Sequence, residues 1–141
     1  MASMEIGRAI DELRRRNEQV PRPHRLPTVD EVEAAEQALG LDFPPDYRRF
    51  LLEASDVVFS TVEPGLVTPD AGHQDLVKTA RGAWEMGVPG DWLPFCQDNA
   101  DYFCLDGRIV RYWSHDGETD EQWPDLGTWI SEVWIGESES A

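Results

Sequence analysis

Asp106-Gly107 is the pair that most restricts how this chain can fold. It separates Tyr102-Phe103-Cys104-Leu105 from Arg108-Ile109-Val110-Arg111-Tyr112-Trp113, two runs rich in aromatic and β-branched residues. Two turn residues between such runs close a tight hairpin, so the strands on either side are antiparallel neighbours. Leu93-Pro94-Phe95-Cys96 reads as a further short strand, its proline suited to an edge. The polar stretch Gln97-Asp98-Asn99-Ala100-Asp101 reads as the turn that joins it to the hairpin.

Upstream, the apolar spacing is helical. Ile6, Ala9, Ile10 and Leu13 form one stripe over residues 5–18, and Arg14-Arg15-Arg16 closes that helix where positive charge complements its dipole. Three prolines in residues 20–27 make an extended connector. Thr28-Val29-Asp30-Glu31 has the form of a capping box. It opens a helix with Val32, Ala35 and Leu39 inward, and Gly40 is placed to stop it. Pro45 suits the first turn of a third helix, whose inner face is Tyr47, Phe50, Leu51 and Ala54. Residues 57–62 have the β-branched content of a strand. Residues 73–87 read as a fourth helix with Leu76, Ala80, Ala83 and Trp84 near one face. After an acidic loop from Ser114 to Trp123, Asp125 is a good N-cap for a closing helix carrying Leu126, Trp129, Ile130, Val133 and Trp134. The expected fold is α+β, a single domain with an antiparallel twisted sheet packed on one face by helices.

A chain of 141 residues suits one domain, and its 40% hydrophobic content with six Trp excludes disorder of the whole. No apolar run approaches the roughly 20 residues of a membrane span, and the first residues lack the pattern of a signal peptide. The two cysteines, Cys96 and Cys104, match no metal or disulfide framework and read as buried thiols in a reducing, cytoplasmic setting. The net charge is −16. It is uneven: residues 91–141 hold twelve acids and two bases, 2 − 12 = −10. Such a charge disfavours nucleic acid and anionic membranes as partners and suits a basic protein.

Several pieces together resemble the SUKH superfamily, the Smi/Knr-type proteins. They are Leu39-Gly40-Leu41-Asp42-Phe43-Pro44-Pro45-Asp46-Tyr47-Arg48-Arg49-Phe50-Leu51, then Trp92-Leu93-Pro94-Phe95, then Asp101-Tyr102-Phe103-Cys104-Leu105-Asp106. Val110-Arg111-Tyr112-Trp113-Ser114-His115-Asp116 and the closing Trp129-Ile130 helix continue the match. The resemblance runs from about Thr28 to Ile135. On it the chain divides into an N-terminal helix and connector (1–27), the SUKH-like domain (28–136) and a fraying tail (137–141). Two turns depart from the family's pattern, Ala54-Ser55-Asp56 and Cys96-Gln97-Asp98-Asn99-Ala100, and both could reshape a ligand surface.

The resemblance implies an α+β fold with no general enzymatic activity and no cofactor. For bacterial members it implies an immunity protein that binds and neutralises a cognate polymorphic toxin, often a nuclease. Fungal members are instead regulatory or scaffold modules, usually with long disordered extensions of which this sequence has almost none. A nuclease inhibitor needs carboxylates to meet a phosphate-binding site and aromatic anchors to hold it. Asp98, Asp101, Asp116, Glu118, Asp120 and Glu121 supply the first, though a solvated rim explains them equally. Tyr102, Tyr112, Trp113 and Trp123 supply the second, Trp123 foremost because it sits in a loop before a proline. Trp129 and Trp134 read as core. A hydrolase built on His115, Asp116, Asp98 and Asp101 is the third reading, and its spacing matches no metal or nucleophile motif. The expectation is therefore a non-enzymatic protein with a basic toxin domain as partner and no metal.

Overall fold

The computed structural model describes residues 4–117 and 119–137, the last of these by its backbone. Three helices come first: α1 (Ile6–Arg15), α2 (Val29–Leu39) and α3 (Pro45–Ala54). Their inner faces are the ones the periodicity marks, with Leu39 half-buried at the end of its stripe. The capping box is present: Glu31 N–H donates to Thr28 Oγ1 at 3.2 Å, and Thr28 N–H to Glu31 Oε1 at 3.0 Å. Arg25 adds two bonds to the same carboxylate, at 2.8 and 2.7 Å. This guanidinium, with the Thr28 N–H, pulls the Glu31 pKa down to about 2. Gly40 ends α2 with φ of +68°, the left-handed conformation expected of a glycine stop. The arginine triplet at the end of α1 is spent on neighbours: Arg15 and Arg16 pair with Glu12, and Arg14 with Asp56.

A 3₁₀ turn, Gly72–Gln74, precedes α4 (Leu76–Glu85), which Asp75 caps by accepting from Lys78 N–H at 3.2 Å. The fourth helix is thus shorter than the stretch expected. Four strands follow in a meander: β1 (Leu93–Asp98), β2 (Asp101–Asp106), β3 (Ile109–Trp113) and β4 (Gln122–Trp123), each antiparallel to the next. A bulge interrupts β1 between Pro94 and Cys96. The fold is a single α+β domain with an antiparallel sheet, as the patterning and the resemblance both imply.

Three local expectations need correcting. Residues 57–62 form no strand. Their backbone is bonded elsewhere: Val58 N–H donates to Asn17 Oδ1, Val58 C=O accepts from Glu18 N–H at 2.7 Å, and Phe59 C=O accepts from the Trp134 indole at 2.9 Å. With those groups committed there is no ladder left to make. The hairpin turn lies one residue later than expected. Asp106 pairs with Ile109, so Gly107-Arg108 is the two-residue loop, and φ of +61° at Gly107 explains why the glycine leads it. Trp123 is not in a loop but in β4, paired with Val110.

The main core lies between the helices and the inner face of the sheet. Asp125 caps α5 (Leu126–Trp129), its carboxylate accepting from Thr128 N–H at 2.9 Å. The chain then widens into a π-helical segment, Ile130–Glu137. Trp129 and Trp134 are fully buried there. The outer face of the sheet is not bare. Tyr102 and Cys104 meet Ala83 and Val88 in a small second cluster, flanked by Trp84, Trp92 and Trp113. Both cysteines are free and buried, one in each cluster, and burial pushes both thiols up to about 12.

Among the described residues, Tyr47 Oη, Thr68 Oγ1 and Trp129 Nε1 are buried without a hydrogen-bond partner. An unpaired buried hydroxyl costs about 1–3 kcal/mol. Tyr47 is wholly buried with its ring against Phe43, Phe50 and Phe95. Tyr47→Phe should therefore stabilise the fold by about 1 kcal/mol in urea titration; a loss of stability would mean that the hydroxyl is bonded.

Candidate protein-binding surface

The turn between β1 and β2 brings two carboxylates face to face. Asn99, with φ of +57°, carries the chain round, and Asp98 pairs directly with Asp101. Like charges opposite one another destabilise a strand pair unless something offsets them. Here it is Tyr112 on β3, whose hydroxyl donates to Asp101 Oδ2 at 2.8 Å and lies 3.1 Å from Asp98 Oδ2. A phenol has one proton, so the two carboxylates share a single donor. Burial first, then the hydrogen bonds to Asp101 and Asp98, raise the phenol's pKa well above its ordinary value.

Asp101 has further partners. Oδ1 accepts from the His115 backbone N–H at 3.1 Å and lies 2.7 Å from the His115 ring Nδ1. The opposite ring nitrogen is 3.3 Å from Asp116 Oδ1. The hydrogen bond to Asp101, then the Asp116 charge, raise the His115 pKa. The same His115 bond, with that of Tyr112, lowers the Asp101 pKa. Asp98, Asp101, Tyr112, His115 and Asp116 thus form one network at the end of the sheet. A polar cavity of about 350 Å³ opens beside it, lined in part by Glu63, His73, Gln97 and Asp98, with His73 and Glu63 3.1 Å apart.

The remaining candidates fall elsewhere. Asp120 and Glu121 are exposed on the segment leading into β4. That segment is tied down where Thr119 Oγ1 donates to Tyr112 C=O at 2.7 Å. Glu118 lies outside the described residues. Trp123 is half-buried on the inner face, edge-on to Phe103 with ring centroids 5.8 Å apart. Tyr102 and Trp113 point to the opposite face, their rings 6.0 Å apart; Tyr102 is 5% exposed, whereas Trp113 is half-buried. The sheet therefore brings Asp98, Asp101, Tyr112 and Asp116 together and sends the other aromatics to two different faces.

The outer face holds residues that the sequence does not mark. Arg111 lies over the Trp92 ring at 5.5 Å and pairs with Asp106 at 2.7 Å. The Trp84 indole donates to Trp92 C=O, and the Tyr102 hydroxyl to Met86 Sδ at 3.7 Å. A lone Met at a helix end and a Trp before a strand carry no signal in one sequence. Alternation along β3 offers a partial one, since Arg111 and Trp113 must share a face.

The catalytic quartet of the hydrolase reading, His115, Asp116, Asp98 and Asp101, is gathered at one place. Among the described residues, however, no group of three or more His, Cys, Asp or Glu is arranged to hold a metal ion. Nor is any helix among them long and apolar enough to cross a membrane.

These features define a single α+β domain of SUKH architecture with an acidic sheet end. The chain belongs to that family: the family described as SUKH_5, SMI1-KNR4 cell-wall, matches residues 6–135. The match therefore takes in α1 as well as the stretch from Thr28, in keeping with the four α1 side chains buried in the main core. A crystal structure of a protein from Pseudomonas syringae pv. tomato is similar to it, 37% identical over 92% of this chain and 98% of that one, with a TM-score of 0.86. Comparison with curated proteins gave no match.

The His115–Asp101 pair makes the stability of the 114–117 turn depend on pH. The raised His115 pKa contributes stability that is full below its ordinary 6.5 and is lost as pH rises through the folded value. The lowered Asp101 pKa contributes stability present above 3.8 and lost as pH falls through its own folded value. In an NMR titration the His115 ring should turn over above pH 6.5, and Asp101→Asn should bring it down. An unmoved midpoint in that variant would break the assignment.

Proposed function

We propose that this protein is an immunity protein: it binds a cognate toxin with a basic active domain, a nuclease first among the candidates, and neutralises it by stoichiometric occlusion. The observation that carries the reading is the gathering of Asp98, Asp101 and Asp116 at one end of the sheet in a SUKH-family chain. Asp120 and Glu121 extend the same charge along the return to β4, and residues 91–141 carry −10 overall. A carboxylate array of this kind meets a phosphate-binding site by charge and steers the encounter with it.

The action is binding rather than catalysis. Each group that could move a proton at the sheet end is bonded to a neighbour: His115 to Asp101, and Tyr112 to Asp101 and Asp98. We read such a network as a charged surface whose groups hold one another in place. The place of action is the cytoplasm, where a delivered nuclease meets its substrate. No nucleic acid or membrane is a partner for a surface of this sign.

On this reading a basic toxin domain is encoded beside this chain's gene, and the test uses that domain. Co-expression should protect cells from that domain, and the purified pair should form a 1:1 complex that tightens as salt falls. The double reversal Asp116→Lys with Asp120→Lys should slow association about tenfold at low salt, with a smaller effect on dissociation. Unprotected cells would overturn the immunity reading in favour of a regulatory or scaffold module. Protection with salt-independent binding would overturn the electrostatic mechanism.

A further inference from the structure

Acidic rims steer, but affinity comes from buried aromatic and arginine contacts at the centre of an interface. The sheet end offers little for that purpose: Tyr112 is tied to two carboxylates and Trp123 faces inward. The outer face of the sheet is different. Met86 is 50% exposed, the highest value among the large hydrophobics described. The half-buried Trp92 and Trp113 accompany it. All three border one small buried cluster, Trp92 and Trp113 packing against it and Met86 reaching its Tyr102. Tyr102 is joined to Met86 through its hydroxyl and to Trp113 through its ring. Methionine, tryptophan and tyrosine are the residues that interface centres favour.

This face also states what it would hold. Each of these three residues has an exposed acid close in sequence: Glu85 beside Met86, Asp91 beside Trp92, and Asp116 three residues after Trp113. Arg111, the base at this face, is already paired with Asp106. Its guanidinium lies over the Trp92 ring at 5.5 Å, one cation–π contact with arginine already made at this face. An apolar, aromatic centre with carboxylates around it complements a positively charged protein segment whose guanidinium groups stack on indole while its neighbours pair with the rim.

We propose that the outer face of the sheet, centred on Met86, Trp92 and Trp113, is the docking site for an arginine-bearing segment of a basic protein partner. The identity of that partner as a toxin rests on the immunity reading; the site itself does not.

The six tryptophan indole N–H signals of ¹⁵N-labelled protein are ready reporters. The probe is a synthetic, end-blocked peptide of alternating arginine and glycine, with the lysine and glutamate versions as comparisons. The arginine peptide should move the Trp92 and Trp113 signals first and saturably, leaving those of Trp129 and Trp134 in place. The lysine peptide should bind more weakly, and the glutamate peptide should not bind. Trp113→Ala should weaken the arginine peptide about tenfold. Met86→Lys, at an exposed position that does not carry the fold, should weaken it in the same direction. Shifts centred on Asp98, Asp101 and His115 without Trp92 and Trp113 would overturn the site, and so would unchanged affinity in Met86→Lys. The cell-protection assay separates the two readings. Protection that survives intact in both variants overturns the docking site and leaves immunity standing. Peptide binding at this face by a protein that protects no cell does the reverse.

Discussion

Trp129 is the residue through which the two layers of this protein are joined. Its ring stands edge-on to Phe95 of β1 at 5.0 Å and to Phe103 of β2 at 5.2 Å, and lies 6.3 Å from Trp134 in the same closing segment. Trp134 in turn meets Phe50 of α3 at 6.1 Å and donates its indole N–H to Phe59 C=O. One chain of aromatic contacts thus runs from the sheet through the last helix to the third helix. Edge-to-face pairs of this kind add about 0.5–1.5 kcal/mol each beyond the area they bury. The widened π segment belongs with this packing, since it begins directly after Trp129 and carries Trp134 into the core.

The division of labour in the sheet follows from that anchor. Because Phe95, Phe103 and Tyr112 are drawn to the Trp129 side, alternation sends Tyr102, Cys104, Arg111 and Trp113 to the other. The inner face is then used up by the fold. Charge collects where the strands end and turn, at Asp98, Asp101 and Asp116. Aromatic surface collects on the outer face, where the end of α4 and the segment into β1 cover it only in part. The acidic turns and the aromatic cluster thus share one edge of the sheet, near Trp113 and the turn that follows it.

Local signals in the sequence were enough where a residue's own chemistry decides its conformation. Thr28 and Glu31 cap, Pro45 opens a helix and Asp125 caps, while the hairpin was legible but placed one residue early. They failed where a partner far along the chain decides. The β-branched residues 57–62 look like a strand, yet Asn17, Glu18 and Trp134 claim their backbone. Trp123 looks like loop because β4 is two residues long, below the length at which alternation can be seen. The carboxylates of the sheet end were legible as a group, since turns expose acids. Their wiring through Tyr112 and His115 was not, because it depends on strand register. Met86 and Trp92 were illegible as surface, being ordinary residues until α4 and β1 are set side by side.

The placement of Trp129 also bears on how the chain is made. Synthesis delivers α1 well before α5, yet the two pack together, and Met4 N–H donates to Thr128 Oγ1 at 2.8 Å across 124 residues of sequence. Until residue 134 or so has left the ribosome, the inner faces of α1, α3 and the sheet have no common filling. At roughly 5–20 residues added per second, the meander can pair locally within that interval, but the core cannot close. The core of this domain therefore closes only once its last segment has emerged, and a nascent chain stalled before Trp129 would leave its apolar faces to the chaperones.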